Sequence, residues 1–341
     1  MALLKRKRKP ISLALQGGGS HGAFTWGVLD RLLQEPGLRL NGVSGTSAGA
    51  MNAVALAQGL MENGNEGARL QLETFWNAVA ASAPFKMTST SASGDVSMSP
   101  TVGWMMGLTQ YFSPYQLNPL DINPLRDIVE SQFDFKALKK NSPVNLFIAA
   151  TNANTGRLKL FRNNDLCSEA LLASACLPTV HHTIQIKGQP YWDGGYSANP
   201  AVFPLYQHCD ASDILMILLA PMVHGEMPTS VDEIKARAVD ISFNAGFLRE
   251  MRIIAQTRAM CGGGRFKLFG QLEHTMRRLN FHLIDPDGEL EKLPSATRVT
   301  PDAELLNTLK EMGQRQADRW LKKHHQSLGK RSTVDLAKTF M

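Results

Sequence analysis

Short apolar runs alternate with stretches of helical periodicity along the first half of the chain. Strands are predicted at residues 11–15 and 40–44, and residues 23–34 carry apolar side chains at helical spacing. Helices are also predicted at residues 48–60 and 70–80. Strands that alternate with helices are typical of a parallel sheet covered on both faces. The pattern therefore predicts a three-layer α/β/α fold with a mainly parallel central sheet.

The second half of the chain continues this mixture of strands and helices. Strands are predicted at residues 144–151, 158–161, 183–186, 214–219 and 279–284. Helices are predicted at residues 124–133, 168–176, 230–260 and 302–325. We therefore expect a single domain over residues 10–330, with a partly helical C-terminal part at 206–330 and tails at 1–9 and 331–341.

Residues 87–115 differ in composition from the rest of the chain. They are rich in Ser, Thr, Met and Gly and have little periodicity of their own. A segment of this length inside a compact domain is usually a lid, a binding segment or disordered. Side chains such as Trp104, Met105 and Phe112 suit an apolar ligand, although a flap that only shields the core fits equally well. We expect a lid-like segment here.

The charge of the chain is concentrated at its start. Residues 5–9 are all Lys or Arg, so they supply five of the six net positive charges and leave the rest close to neutral. A nucleic-acid partner is therefore not expected, because its positive surface would lie within the folded part. The basic tip can contact anionic lipid or serve as a solubilising tail. The longest apolar run, residues 214–223, is shorter than the roughly 20 residues that cross a bilayer.

Cysteine and histidine patterns argue against disulfides and metal. The four cysteines show no paired C-x-x-C spacing, and the nine histidines form no H-E-x-x-H motif. The apolar run that follows the basic tip ends at Gln16, which is too early for a signal peptide. We therefore expect a cytoplasmic protein without a metal site, able to associate peripherally with a membrane or lipid surface.

Gly45, Thr46, Ser47, Ala48 and Gly49 lie between a predicted strand and a predicted helix. A G-x-S-x-G sequence in that position forms a nucleophile elbow, a sharp turn that lifts the serine hydroxyl above the carboxyl edge of a sheet. The amino end of the next helix also favours a developing oxyanion. The pentapeptide occurs by chance as well, so it does not establish a nucleophile alone.

A second G-x-S-x-G sequence, at residues 18–22, makes Ser20 an alternative nucleophile. The same stretch, read from Gly17, matches the dinucleotide fingerprint G-x-G-x-x-G. A dehydrogenase would carry an acidic residue about 20 positions later, but residues 38–42 contain none. We therefore interpret the loop as an anion cradle of backbone amides, which beside an elbow serine forms an oxyanion hole.

A hydrolytic serine needs a base, and Asp193 is the candidate. Gly194 and Gly195 follow it directly, so its carboxylate can lie close to neighbouring chain and to a ligand. An ordinary Asp-Gly turn explains this fragment equally well when it is taken alone. Among the histidines, His21 sits beside Ser20 and cannot easily face it, which leaves His282 as the alternative base.

Together these motifs resemble the patatin-like phospholipase family. The family combines a glycine-rich oxyanion loop, a G-x-S-x-G elbow and a later Asp-Gly-Gly or Asp-Gly-Ala, in the order that residues 17–22, 45–49 and 193–195 show here. The small-residue stretch at 173–178 is similar to the family's pattern as well. The resemblance covers a motif-bearing core at about residues 10–205 and implies a patatin-like α/β/α fold.

The resemblance implies a Ser-Asp dyad that works without a metal ion or an organic cofactor. Ser47 would attack an ester carbonyl, and Asp193 would accept the proton of its hydroxyl. The oxyanion hole would be formed by Gly17, Gly18, Gly19, Gly22 and Ala48. The glycines of the elbow and of the aspartate turn would be Gly45, Gly49, Gly194 and Gly195.

The activity that the resemblance implies is hydrolysis of acyl esters, with a phospholipid or lysophospholipid as substrate. Three alternatives stay open: acyl transfer to an acceptor other than water, hydrolysis of another lipidic ester such as a polyester, and non-catalytic binding of lipid or of a membrane surface. The chain departs from the family at His21, where Arg or Lys often precedes the last loop glycine. The resemblance therefore does not settle head-group preference or pH dependence.

Overall fold

An eight-stranded sheet forms the centre of the protein. The computed structural model describes residues 9–82, 88–90, 96–98, 111–225, 227–262, 270–293 and 295–341. The strands of the sheet are β1 (Lys9–Leu15), β2 (Leu38–Thr46), β5 (Asn145–Asn152), β6 (Leu158–Arg162), β7 (Ile184–Ile186), β8 (Gln189–Asp193), β9 (Asp213–Ile217) and β10 (Asn280–Ile284). A separate hairpin is formed by β3 (Thr88–Thr90) and β4 (Val96–Met98).

The sheet is mainly parallel, as the sequence predicts. Its strand order is β10-β9-β1-β2-β5-β8-β7, with β6 beside β5, and the neighbours from β10 to β5 are all parallel. The exceptions are β6 and β8, which run antiparallel to β5, and β7, which runs antiparallel to β8. The carboxyl ends of β1, β2, β5 and β9 share one edge, where ligands bind in open α/β sheets.

Helices cover both faces of this sheet. Their bounds are α1 (Gly22–Leu33), α2 (Ala48–Ala81), α3 (Pro114–Leu117), α4 (Pro124–Gln132), α5 (Phe135–Asn141), α6 (Ser168–Ser174), α7 (Phe203–His208), α8 (Val231–Gly262), α9 (Gln271–Arg278), α10 (Ala303–His324) and α11 (Leu336–Phe340). The two helices predicted at 48–60 and 70–80 form one run, α2, which kinks at Asn63 and Gly64.

Alternation along the central strands divides the core into two layers. On β1, Leu13 and Leu15 belong to the apolar core shared with α1, α2 and α10. Ala14 belongs instead to the core shared with α7, α8 and α11. Successive side chains of a strand point to opposite faces, so this division confirms the three-layer arrangement.

The structure differs from the predicted tail at residues 331–341. That segment contains α11, whose Leu336 and Phe340 are buried. The Phe340 ring packs against Phe247 of α8 with ring centroids 5.8 Å apart. Two widely spaced apolar residues in a short polar segment give too weak a periodicity to predict such packing.

Parts of the N-terminal tail and of the lid-like segment lie outside the described residues. These parts include residues 1–8, which carry most of the basic tip, and Trp104 and Met105 within the predicted lid at 87–115. At the end of that segment, Tyr111 and Phe112 are exposed. Among the described residues, none of the helices is long and apolar enough to cross a membrane.

Candidate active site

Ser47 occupies a strained turn between β2 and α2. Its backbone has φ 54° and ψ −123°, a conformation that side-chain-bearing residues rarely adopt. The Ser47 amide donates a hydrogen bond of 2.9 Å to Ser174 Oγ at the end of α6. This geometry is the one expected of a nucleophile elbow, because it holds the serine at the carboxyl edge of the sheet and at the start of a long helix.

The glycines near Ser47 permit three backbone segments to meet. A Cβ on Gly45 would lie 2.4 Å from the carbonyl oxygen of Gly49, and one on Gly49 would lie 2.3 Å from the carbonyl oxygen of Leu15. A Cβ on Gly17 would lie 2.7 Å from Ser47 Cβ. All three distances are below any real Cβ contact, so side chains at these positions would push the loop after β1 away from the elbow.

Asp193 ends β8 beside the elbow. Its amide donates to the carbonyl oxygen of Cys176 at 2.8 Å, and its Oδ1 accepts a hydrogen bond of 2.7 Å from the Gly195 amide. Its Oδ2 is buried and has no hydrogen-bond partner among the described residues. One carboxylate oxygen is thus anchored, while the other has spare capacity to accept a proton.

The two glycines after Asp193 let its turn pack tightly. A Cβ on Gly194 would lie 2.3 Å from the carbonyl oxygen of Ala149, and one on Gly195 would lie 2.5 Å from the Phe243 ring on α8. The turn is therefore clamped between β5 and α8, which fixes the direction of the Asp193 carboxylate.

Burial gives Asp193 an unusual proton affinity. Removal from water raises the pKa of the carboxyl group from 3.8 to about 7, although the Gly195 amide and, more weakly, the Ser47 hydroxyl oppose the shift. A carboxylate with a pKa near neutrality is a much better base than an exposed aspartate. Perturbation of this kind beside a strained serine is typical of a catalytic site.

In the loop after β1, some backbone amides are available to bind an anion, and others already bond to acceptors within the protein. The Gly17 amide donates to Asn199 Oδ1 at 2.7 Å, and the Gly22 amide bonds to carbonyl oxygens of its own turn. No acceptor is recorded in the described part of the chain for the amides of Gly18, Gly19 and Ala48. Of the five residues expected to form an oxyanion hole, Gly17 and Gly22 therefore contribute close packing, with a Cβ on Gly22 falling 2.6 Å from Ala48 Cβ.

The loop is supported by chain segments far away in sequence. Gln16 Nε2 donates to Asn244 Oδ1 of α8 at 2.8 Å, and Asn199 holds Gly17 as described above. Gly19, at φ +60°, packs on the backbone of Arg298, because a Cβ there would lie 2.0 Å from the Arg298 carbonyl oxygen. The sequence offers no signal for Asn199, Asn244 or Arg298, since their roles arise only from the folded topology.

Ser20 and His21 lie in a short turn at Gly19–His21 and are both buried. The His21 Nε2 atom is 2.8 Å from Thr297 Oγ1. Burial, aided by the nearby Arg298 charge, lowers the pKa of His21 to about 3, so the ring is neutral at ordinary pH. His21 therefore does not reproduce the positive charge that Arg or Lys brings to this loop position.

His282 lies away from the candidate site. It is paired with Asp213, whose Oδ1 is 2.8 Å from His282 Nε2, and Asp213 is the first residue of β9. The other ring nitrogen, Nδ1, is 3.0 Å from Thr333 Oγ1. Since Ser47 follows the carboxyl end of its strand, this buried pair near the opposite edge of the sheet anchors the C-terminal segment instead.

Within the described parts of the chain, His, Cys, Asp and Glu side chains form no group of three or more that could hold a metal ion. Described cysteines at positions 167, 176 and 209 are free thiols, and burial raises the pKa of Cys176 to about 11.

Comparison with known proteins identifies the family of the chain. No curated protein matches the chain. Among solved structures, the crystal structure of VipD from Legionella pneumophila is similar at a TM-score of 0.43 and 15% sequence identity, over 98% of this chain and 73% of that one. The family model for patatin-like phospholipase matches residues 13–206, more than half of the chain. The chain therefore belongs to the patatin-like phospholipase family, a family of lipid ester hydrolases.

Proposed function

We propose that this protein is a serine acyl hydrolase of phospholipid or lysophospholipid esters, with Ser47 as nucleophile and Asp193 as its base. The observation that carries the proposal is the environment of Asp193. Its carboxyl group is buried beside the strained Ser47 and has a pKa near 7. One of its oxygens is anchored by the Gly195 amide, and the other has no hydrogen-bond partner among the described residues. Family membership supports the choice of a lipid ester as substrate.

The reaction proceeds through an acyl-enzyme. Ser47 Oγ forms a bond to the ester carbonyl carbon while its proton moves to the Asp193 carboxylate. The tetrahedral oxyanion then collapses, the bond to the alcohol oxygen breaks, and the alcohol leaves with the proton that Asp193 returns. Water attacks the acyl carbonyl in the same way, with Asp193 taking its proton and passing it to Ser47 Oγ as the fatty acid departs.

The developing negative charge needs donors that are already in place. The amides of Gly18, Gly19 and Ala48 are the candidates, because those of Gly17, Gly22 and Ser47 bond to protein acceptors. Ala48 is also the first residue of α2, whose amino end favours an anion. Preorganised donors of this kind usually contribute more than any other single term in acyl transfer.

Labelling with a fluorophosphonate, an irreversible serine-hydrolase probe, tests this assignment. We expect wild type and Ser20→Ala to be labelled and to hydrolyse a short-chain ester, and Ser47→Ala to do neither. Labelling that is lost in Ser20→Ala and kept in Ser47→Ala would move the nucleophile to Ser20. If wild type fails to react with the probe or with any ester, the protein is a lipid-binding member of the family without catalysis.

The substrate class is tested with a lipid panel. We expect phospholipids and lysophospholipids to be hydrolysed faster than triacylglycerols or polyesters of matched acyl length. An added alcohol acceptor separates hydrolysis from acyl transfer, because a hydrolase releases mainly free fatty acid. Ester products forming in preference to free acid would make the protein an acyltransferase.

We also propose that the basic tip aids peripheral association with anionic membranes. Residues 5–9 could contribute roughly 1 kcal/mol per charge near an anionic leaflet. Deleting residues 1–9 should weaken binding to anionic vesicles at low salt and leave binding to neutral vesicles unchanged. Equal affinity of the truncated and full-length proteins for anionic vesicles would identify the tip as a solubilising tail.

A further inference from the structure

One side of helix α8 carries apolar side chains in water. Six exposed residues follow one another at alternating intervals of three and four, and we call them the apolar stripe: Val231, Ile234, Ala238, Ile241, Ala245 and Leu248. The four large side chains are 66%, 51%, 59% and 39% exposed, in chain order. This spacing places them on one face of the helix, over a length of about 26 Å.

The stripe is not the packing face of the helix. In the second half of α8, Asn244, Phe247 and Met251 are buried against the body of the protein. Those residues lie on a different side of the helix from the stripe. Large apolar side chains that line up in solvent mark an interaction surface more reliably than single ones.

We propose that the apolar stripe is a docking surface for an anionic lipid bilayer. The charges on α8 favour this partner. Arg249 borders the stripe near its C-terminal end and Arg252 continues its line beyond Leu248, and both side chains are exposed. A helix with an apolar face and basic borders lies in the plane of a membrane interface and is attracted to anionic head groups.

The acidic side chains described on α8 bind other groups of the protein. Glu233 accepts hydrogen bonds from the amides of Thr229 and Ser230. Asp240 is ion-paired with Arg298, and Glu250 accepts from the amide of Val202. At the C-terminal end of the stripe, the exposed charged side chains are those of Arg249 and Arg252.

A second copy of the chain is a poorer partner for the same surface. Alternating intervals of three and four would suit a coiled coil, in which the flanking positions of the two helices face each other. Of those positions, Lys235, Arg237 and Arg249 are basic, and the other three, Ser242, Asn244 and Met251, are uncharged. Pairing two copies would place positive charges together, whereas an anionic bilayer neutralises them.

The position of α8 connects the stripe to the candidate active site. On another side of the same helix, the Phe243 ring packs against Gly195 and lies 4.8 Å, centroid to centroid, from the ring of Tyr196. A bilayer that binds along α8 is thus held close to the Asp193 turn. The choice of lipid as partner rests on the proposed function, because a hydrolase of membrane lipids must work at their surface.

Vesicle sedimentation of catalytically inert protein tests the surface separately from the chemistry. In a Ser47→Ala background, Ile234→Ser/Ile241→Ser should weaken binding to vesicles of mixed neutral and anionic phospholipid by about tenfold or more. Leu70→Ser, which changes an exposed leucine on α2, is the matched control and should bind as the parent does. Arg249→Gln/Arg252→Gln should weaken binding to anionic vesicles but not to neutral ones, and should reduce the effect of salt.

Two further measurements make the result decisive. Thermal unfolding should show that every variant is folded, and the stripe variant with Ser47 restored should hydrolyse a dissolved short-chain ester as the wild type does. Unchanged vesicle affinity in the stripe variant would overturn the proposal. A dimer in solution that Ile234→Ser/Ile241→Ser converts to monomer, with vesicle binding unchanged, would assign the stripe to self-association. If vesicle binding responds as expected but the wild type cleaves no ester, the docking surface stands and the proposed function fails.

Discussion

Ser47 directly follows strand β2 and Asp193 ends strand β8, and these two strands meet end to end along one edge of strand β5. Thr46 pairs with Ala149 of β5, and the next β5 residue, Ala150, pairs with Asp193. The other edge of β5 is occupied by β6 over residues 147–151, so β2 and β8 share the remaining edge. The chain therefore leaves the sheet at Ser47 next to the point at which β8 ends with Asp193. Sheet register, and not a flexible loop, sets the distance between the two residues.

The first prediction concerns the base. Asp193→Asn should lower turnover of a short-chain ester by about a hundredfold to ten-thousandfold, because the amide cannot accept the Ser47 proton. The side chain has nearly the same shape and keeps an oxygen for the Gly195 amide, so the fold should persist. Steady-state kinetics and thermal unfolding of the purified variant measure both effects. Turnover within a few fold of wild type would exclude Asp193 as the base.

The second prediction concerns pH. Because Asp193 must be ionised to act, kcat/KM of the wild type should rise with pH and level off above an inflection near 7. Asp193→Asn should lose this inflection in its residual activity. A profile with its inflection near 4 would show that the carboxyl group is not held in its protonated form by burial.

Stability should change with pH in the opposite direction to activity. The Asp193 pKa is 3.8 in a solvated chain and about 7 in the folded protein, so between these values the folded state holds a proton that the unfolded state has lost. The resulting stabilisation is complete below about pH 4 and is lost as pH rises to about 7. Relative to Asp193→Asn, the free energy of unfolding of wild type should fall over this range and stay level above it. Denaturant titrations of the two proteins at matched pH measure the difference.

Local sequence patterns were sufficient for most of the central strands and the longer helices but not for the support of the site. The turn that holds Ser47 could be predicted because a strand, a G-x-S-x-G sequence and a helix follow one another within a short stretch of chain. Asn199 and Arg298 could not, because they contact the loop after β1 from positions about 180 and 280 residues away. Contacts over such separations depend on the strand order, which periodicity along the chain does not specify.

The fourth prediction concerns the support of the loop after β1. The hydroxyl of Thr297 holds the His21 ring at 2.8 Å, next to the place where Gly19 packs on Arg298. Thr297→Val keeps the shape but leaves a buried ring nitrogen without that partner, at a cost of about 1–3 kcal/mol. We expect the loop to become less well ordered, so that kcat falls about tenfold while KM changes little.

Thr297→Ser is the matched control, because it keeps the hydroxyl and removes only a methyl group. Its kcat should stay close to that of wild type. Equal losses of kcat in Thr297→Val and Thr297→Ser would indicate that packing of the methyl group matters and that the hydrogen bond to His21 does not position the loop.

The last prediction separates a Ser-Asp dyad from a triad that contains histidine. His282 is buried, its Nε2 lies 2.8 Å from Asp213 Oδ1, and the Gly329 amide donates to the same oxygen at 2.8 Å. His282→Asn removes one partner of a buried pair and should lower the free energy of unfolding by about 2–5 kcal/mol. Because the pair lies near the sheet edge opposite Ser47, the fraction that remains folded should keep the turnover of wild type. His274→Asn changes an exposed histidine of α9 and serves as the control for both measurements. A folded His282→Asn protein that is as inactive as Asp193→Asn would place His282 in the reaction and overturn the dyad.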